Sequence, residues 1–182
     1  MKSAAITYKD KENRLHQDIP RWFVIYTKYK TEKYVVEKLK MKGVEAYVPL
    51  IKYSKRYTRK IKHYEVPLIN CYVFVKITRE EYLRVLETEY VSAFLKNRGN
   101  LTDVKEEEIQ ILRKIVGENH EIQTAPLEFV PGKKVEIISG NLTGIKGKLI
   151  ETKGKKDFLV ELESIGYQFT MNINKNHLRA IS

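Results

Sequence analysis

The stretch VPLINCYVFVKI, residues 66–77, contains the strongest β-strand pattern in the chain. Its run Tyr72, Val73, Phe74 and Val75 is apolar at four successive positions. A strand with that pattern is covered on both faces, because neighbouring side chains point to opposite sides of a sheet.

On the N-terminal side, the apolar run at residues 22–26 predicts a first strand. Apolar side chains at helical spacing then predict a helix that is capped by Thr31 and stopped by Gly43. Residues 44–50 favour another strand, and the basic residues 52–62 favour an exposed hairpin or loop.

On the C-terminal side, residues 79–87 predict a helix, residues 91–95 a short strand, and residues 105–116 a third helix. We expect Thr102 or Asp103 to cap that third helix. The residues expected to face inward from the two helices are Tyr82, Leu83, Leu86, Ile109, Leu112 and Ile115. Residues 20–116 thus predict an α+β domain, an antiparallel sheet covered by helices.

The rest of the chain has a different pattern, with glycines separating five short apolar segments. Those segments lie near residues 135–138, 148–150, 158–162, 169–173 and 178–181. This pattern predicts a small five-stranded, SH3-like β-barrel over residues 129–182. Residues 117–128 show no period and are interpreted as a linker, and residues 1–19 as a mobile tail.

Composition restricts the class of protein. Lys and Arg number 34 against 23 Asp and Glu, a net charge of +11 that favours polyanionic partners. No apolar run is long enough to span a membrane and no signal peptide is recognisable, so we expect a cytoplasmic, monomeric protein without membrane contact.

Catalytic and metal-binding patterns are missing from the sequence. The four histidines are scattered, Cys71 is the single cysteine, and no phosphate-binding glycine motif occurs. We therefore expect neither an enzyme nor a bound metal or cofactor.

Two basic groups are candidates for nucleic-acid binding. The first includes Lys55, Arg56 and Arg59, which are interleaved with tyrosines that suit stacking on bases. The second lies on and before the first helix, at Lys28, Lys38 and Lys42. Solvated surfaces without a ligand are the alternative for both groups.

Three stretches resemble the NusG family of transcription elongation factors. They are RWFVIYTKYKTEKYVVEKL at 21–39, VPLINCYVFVKI at 66–77, and VPGKKVEIISGNLTGIKGKLIE at 130–151, which is similar to a KOW motif. The resemblance covers residues 20–182 in the order that is usual for the family. It implies an N-terminal polymerase-binding domain, a linker and a KOW barrel.

The resemblance also implies partners and sites. The N-terminal domain would bind the clamp helices of the largest RNA polymerase subunit through Tyr26, Ile69, Tyr72 and Phe74, and suppress pausing and termination. Packing in the core is the alternative role for Tyr72 and Phe74. The basic surfaces resemble those of specialised paralogues, the RfaH and capsule-operon (UpxY-like) regulators, in which this surface contacts the non-template DNA strand. Lys28 and Lys38 match such positions, which implies antitermination of selected operons, with a general elongation or termination factor as the alternative.

Two details of the resemblance concern individual positions. The family's Phe-Pro-Gly before the central strand is Ile69-Asn70-Cys71 here, which changes the turn that enters the strand. In the barrel, Leu142 and Ile145 match a surface that would bind a small-subunit ribosomal protein or the termination factor Rho. An RNA- or ribosome-binding KOW module is a further alternative.

Overall fold

A computed structural model describes residues 15–117, 122–152 and 154–182 as a mixed α+β protein, which confirms the predicted fold class. The helices are α1 (Glu32–Met41), α2 (Tyr82–Leu86) and α3 (Glu106–Val116). The strands of the first half are β1 (Arg21–Thr27), β2 (Glu45–Tyr47), β3 (Leu50–Tyr57), β4 (Lys60–Pro67), β5 (Tyr72–Ile77), β6 (Val91–Phe94), β7 (Lys96–Asn97) and β8 (Asn100–Leu101). Those of the second half are β9 (Ile122–Pro126), β10 (Lys133–Ile137), β11 (Lys146–Thr152), β12 (Lys155–Leu162), β13 (Tyr167–Met171) and β14 (Leu178–Ala180).

The described residues divide into two compact units. The first comprises the chain up to Tyr47 together with Val73–Val104, and the second comprises Val48–Tyr72 together with Lys105–Ser182. This division differs from the domains expected from the sequence, because α3 and the strands β3 and β4 group with the C-terminal residues. The domain boundaries at 116 and 129 stay a prediction, and most of the predicted tail, residues 1–14, lies outside the described residues.

A four-stranded sheet in the order β2-β5-β1-β6 forms the centre of the first unit. Its inner strands are β5 and β1, which are almost continuously apolar and buried, as the sequence pattern predicts. Helix α1 buries Val35, Val36 and Leu39, which recur at helical spacing. The long run predicted at 66–77 is two strands, since Val66 pairs with Ile51 in β4 and β5 begins only at Tyr72.

A six-stranded antiparallel sheet in the order β14-β10-β11-β12-β13-β9 dominates the second unit. All five predicted C-terminal strands are present, and β9 adds a sixth by pairing with β13 along its whole length. The interpretation of residues 117–128 as a linker without a strand is therefore wrong for 122–126. That strand is held by its pairing with β13 and not by an apolar pattern of its own.

Several local expectations need correction. Thr31 precedes α1, but its hydroxyl donates to the Lys28 carbonyl at 2.7 Å and does not cap the helix. Helix α3 follows Lys105 without a side-chain cap, while Asp103 pairs with Arg21 at 3.5 Å. In α2, Leu83 is 64% exposed, so its assignment to the inner face is wrong.

Candidate functional site

The apolar residues expected to bind polymerase are covered in this structure. Phe74 is fully buried and its ring lies 6.2 Å from that of Tyr47, so it belongs to the core of its sheet. Ile69 is 3% exposed and Tyr72 is 9% exposed, whereas Tyr26 is half-buried. The prediction that these four side chains form a polymerase-binding surface stays a prediction.

The cover over Tyr72 comes from the C-terminal sheet. The Tyr167 ring of β13 meets the Tyr72 ring edge-on, with 5.3 Å between the ring centroids. The Thr124 hydroxyl of β9 donates to the Leu68 carbonyl at 3.3 Å. Strands β9 and β13 are neighbours in that sheet, so one edge of it covers the segment from Leu68 to Tyr72.

Helix α3 contacts two turns of the same C-terminal sheet. The Ser164 amide donates to the Glu108 carboxylate at 3.2 Å, and the Lys114 ammonium donates to the Thr143 carbonyl at 3.0 Å. Sequence reasoning gave α3 no role beside the C-terminal strands, because contacts between residues this far apart leave no periodic signal.

The two residues expected to bind a partner of the KOW domain are also buried. Leu142 and Ile145 are each 3% exposed. Ile145 lines a cavity of about 420 Å³ that it shares with α3. Leu142 lines a smaller cavity of about 200 Å³ next to the turn between β10 and β11. Their role in partner binding stays a prediction.

The lysines before and on α1 meet in what we call the tyrosine–lysine cluster: Lys28, Tyr34, Lys38, Glu89 and Tyr90. The Lys28 ammonium lies 5.5 Å from the centre of the Tyr90 ring, and that of Lys38 lies 5.2 Å from the centre of the Tyr34 ring. The two rings meet edge-on at 5.4 Å between centroids. The structure thus brings together two of the residues that were predicted to bind nucleic acid, Lys28 and Lys38.

Tyr34, Glu89 and Tyr90 are the members of this cluster that were not predicted from the sequence, and Glu89 links the other two. The Tyr34 hydroxyl donates to the Glu89 carboxylate at 2.8 Å. That hydrogen bond, a second one with Tyr90, and the charges of Lys38 and Lys28 lower the pKa of Glu89. The same carboxylate raises the pKa of Tyr90 through their hydrogen bond. No sequence signal links Tyr34 to a residue 55 positions later, so only the fold places them together.

Lys42 does not join the cluster. Its ammonium donates to the Thr88 hydroxyl at 2.8 Å and to the Arg84 carbonyl at 3.4 Å. These contacts tie the end of α1 to α2, which is a structural use of the side chain.

The basic hairpin is a separate two-stranded sheet of β3 and β4, and all residues from 52 to 65 are exposed. Lys55 and Arg56 are neighbours in β3, so they point to opposite faces, and Arg59 lies in the turn. The predicted hairpin is confirmed, and the three predicted basic residues are divided between its two faces and its turn.

The described residues hold no cluster of histidine, cysteine or carboxylate side chains that could bind a metal ion. Among those same residues, no helix combines the length and the apolar composition that crossing a bilayer requires.

Comparison with known proteins identifies the family. The family model "Transcription termination factor nusG" matches residues 20–113, just over half of the chain. The "Transcription termination/antitermination protein NusG" of Lactococcus lactis subsp. lactis (strain IL1403) is 29% identical over 150 residues, which are 74% of this chain and 80% of that protein.

Among solved structures, one described as "Domain interaction in Thermotoga maritima NusG" has a TM-score of 0.55 and 22% identity. The similarity covers 90% of this chain and 98% of that one, and it shows a shared fold. The chain therefore belongs to the NusG family, and it is a transcription factor of the termination/antitermination type.

Proposed function

We propose that this protein binds transcribing RNA polymerase at the clamp helices of its largest subunit, suppresses pausing and termination, and antiterminates selected operons. The observation that carries the proposal is the cover over Tyr72. Its ring is shielded by Tyr167 from a different sheet, so withdrawal of that sheet would uncover an aromatic side chain. Exposed apolar surface of this kind is suited to a helical partner.

Binding then requires the edge formed by β9 and β13 to leave the segment that it covers. The contacts at that edge include the Tyr72–Tyr167 aromatic pair and a side-chain hydrogen bond to the Leu68 carbonyl. An aromatic pair contributes about 0.5–1.5 kcal/mol beyond the burial of its area, so these two contacts are modest. A polymerase helix that packs against Tyr72 and Ile69 would replace them.

Capture of the protein by polymerase tests the docking site. We expect polymerase with its clamp helices to retain the protein, and polymerase without them to lose it. Tyr72→Ala should reduce the free energy of binding to polymerase by more than it reduces the free energy of unfolding. Equal recovery with both polymerases would remove the docking site, and equal losses of binding and stability would make Tyr72 a core residue only.

The tyrosine–lysine cluster is the proposed contact with the non-template DNA strand. Lys28 and Lys38 converge there beside two tyrosine rings, which combines positive charge with aromatic faces. The negative charge of Glu89 repels a phosphate next to its carboxylate. We therefore propose that the phosphates contact the Lys28 and Lys38 ammonium groups on the side away from Glu89.

A charge reversal in α1 tests this contact. Lys38→Glu should reduce crosslinking to the exposed DNA strand of the elongation complex and leave capture by polymerase intact. Lys40→Glu is the matched control, because Lys40 lies on the same helix two residues away and points in a different direction. Unchanged crosslinking in Lys38→Glu would reject the contact.

The C-terminal sheet is the proposed site for a small-subunit ribosomal protein or Rho. Leu142 and Ile145 must become accessible first, because both are buried in the present arrangement. For Ile145 this requires α3 to move away, since Ile145 and α3 line one cavity and Lys114 of α3 donates to the Thr143 carbonyl in the same turn.

The distinction between a selective and a general factor rests on where the protein acts. Genome-wide occupancy confined to a few long operons is expected for the selective antiterminator. Occupancy of every transcribed gene would identify a general elongation or termination factor.

A further inference from the structure

The two faces of the β3–β4 hairpin differ in chemistry. The cross-strand pairs Tyr53–Tyr64, Lys55–Lys62 and Tyr57–Lys60 alternate with the pairs Lys52–Glu65, Ser54–His63 and Arg56–Ile61. Because side chains alternate along a strand, each set of three pairs shares one face. We call the first set the tyrosine–lysine ladder; it holds three tyrosines, three lysines and no acidic residue.

The rings of the ladder are accessible. Tyr53, Tyr57 and Tyr64 are each 44–45% exposed, although tyrosines in a folded protein commonly bury most of their ring. Tyr53 and Tyr64 stack with 5.9 Å between their centroids and 21° between their planes. The Lys55 and Lys62 ammonium groups lie 5.5 and 5.8 Å from the centre of the Tyr57 ring.

The opposite face lacks these features. Glu65 lies across from Lys52, and the Ser54 hydroxyl is hydrogen-bonded to the His63 ring at 2.7 Å. Ile61 lies across from Arg56, so this face carries two basic residues, an acidic one and no tyrosine. Charge and aromatic area therefore select one face of the hairpin.

We infer that the tyrosine–lysine ladder binds single-stranded DNA, with bases stacked on the tyrosine rings and phosphates beside the lysines. The inference deepens the DNA contact of the proposed function and rests on it for the choice of DNA. A duplex hides the faces of its bases, so a ladder of rings favours a single strand. Stacking reads no base edge, and the surface is expected to bind with little sequence preference.

The hairpin offers variants that separate stacking from charge and from folding. Tyr57→Ala removes a ring near the turn and leaves the Tyr53–Tyr64 stack in place, so the strands keep that contact. Tyr57→Phe retains the ring and loses the hydroxyl. Lys55→Gln removes a ladder charge, and Arg56→Gln removes the neighbouring charge on the other face.

The experiment measures fluorescence anisotropy of labelled single-stranded DNA of about 12 nucleotides with the full chain at low salt. We expect Tyr57→Ala to weaken binding about tenfold and Tyr57→Phe to bind like the wild type. Lys55→Gln combined with Lys62→Gln should reduce the salt dependence of log K by roughly 1.4, because each phosphate contact on a single strand contributes about 0.7. Arg56→Gln should change the affinity less than Lys55→Gln does.

Three results would overturn the inference. They are wild-type affinity in Tyr57→Ala, equal competition by duplex DNA, and a preference of tenfold or more for single-stranded RNA over DNA. A spectrum that shows loss of the hairpin in Tyr57→Ala would transfer the test to Lys55→Gln against Arg56→Gln, in which no ring is removed. Equal affinities in that pair would also contradict the ladder.

Failure of this inference can be told apart from failure of the proposed function. The anisotropy assay contains no polymerase, and the capture assay contains no added DNA strand. If polymerase does not capture the wild-type protein but the anisotropy results are as expected, clamp binding is rejected and the ladder is retained. If capture is normal but the ladder variants bind DNA like the wild type, the ladder is rejected and clamp binding is retained.

Discussion

At the scale of single residues, Cys71 occupies a backbone conformation that favours glycine. Its φ is 64°, in the left-handed region, at the turn that enters β5. The NusG-family pattern has glycine at this position, and the sequence has Cys71 there. The strain of a side chain in that region is about 1–2 kcal/mol.

We predict that Cys71→Gly is more stable than Cys71→Ala by about 1 kcal/mol, since both remove the thiol and only glycine removes the strain. Urea unfolding of the two variants measures the difference. A more stable Cys71→Ala would show that the turn carries no strain.

Glu89 gives a pH-dependent prediction at the same scale. Its largest pKa-lowering contact is the hydrogen bond from Tyr34, so Tyr34→Phe should raise the pKa of Glu89 towards its ordinary value of 4.5. A lowered pKa in the folded state means that this contact stabilises the protein above pH 4.5 and stops doing so as the pH falls below it. Carboxyl titration followed by NMR measures the change.

The control for this titration is Tyr53→Phe, because Tyr53 lies in the hairpin and makes its ring contact with Tyr64. That variant should leave the pKa of Glu89 where it is in the wild type. A pKa that does not move in Tyr34→Phe would remove the hydrogen bond as its cause.

At the scale of elements, the buried face of the short helix α2 could not be predicted from the spacing of its apolar residues. The sequence favoured Leu83 as an inner residue, but Val85 is fully buried and Leu83 is 64% exposed. Five residues give less than two turns, so several helical phases fit the same apolar pattern.

The orientation of α2 predicts effects of different size for substitutions of Val85 and Leu83. Val85→Ala should lower the free energy of unfolding by about 1–3 kcal/mol, because it leaves a cavity in a buried site. Leu83→Ala should change it by less than about 0.5 kcal/mol. Thermal or urea unfolding compares them, and a larger loss for Leu83→Ala would mean that the helix is turned the other way.

The elements that the sequence predicted best are those whose own residues determine them. The strands β1 and β5, the helix α1 and the five C-terminal strands follow from apolar periodicity and glycine positions. Strand β9 was missed because it has one large apolar side chain, Ile122, and is mostly exposed, and it forms by pairing with β13. The tyrosine–lysine ladder was visible in part, since alternation predicts faces once a hairpin and its register are known.

At the scale of the whole molecule, the family resemblance predicted which side chains would form an apolar surface, but nothing in the sequence predicted what covers Tyr72. The Tyr72 ring meets that of Tyr167, and the nearby Leu68 carbonyl accepts from the Thr124 hydroxyl, so both partners lie more than fifty positions away. Such pairings have no local signal, because neither partner needs a particular periodicity. The family resemblance indicated the candidate residues, and only the fold shows which other residues contact them.

The cover over Tyr72 leads to a prediction about its removal. Tyr167→Ala deletes the ring that meets Tyr72, a contact of about 0.5–1.5 kcal/mol, so the population with Tyr72 uncovered should rise about 2- to 10-fold. Cys71 is the single cysteine and is half-buried next to Tyr72, so its rate of thiol labelling reports this exposure. Capture by polymerase should increase with it.

Phe129→Ala is the matched control, since Phe129 is 90% exposed and its ring lies over Lys148, not over Tyr72. It removes an aromatic ring from the same part of the chain and should change neither labelling nor capture. Faster labelling of Tyr167→Ala without better capture would mean that uncovering Tyr72 does not limit docking. Unchanged labelling would mean that other contacts of the second unit, such as those of Glu108 and Lys114, hold the cover in place without Tyr167.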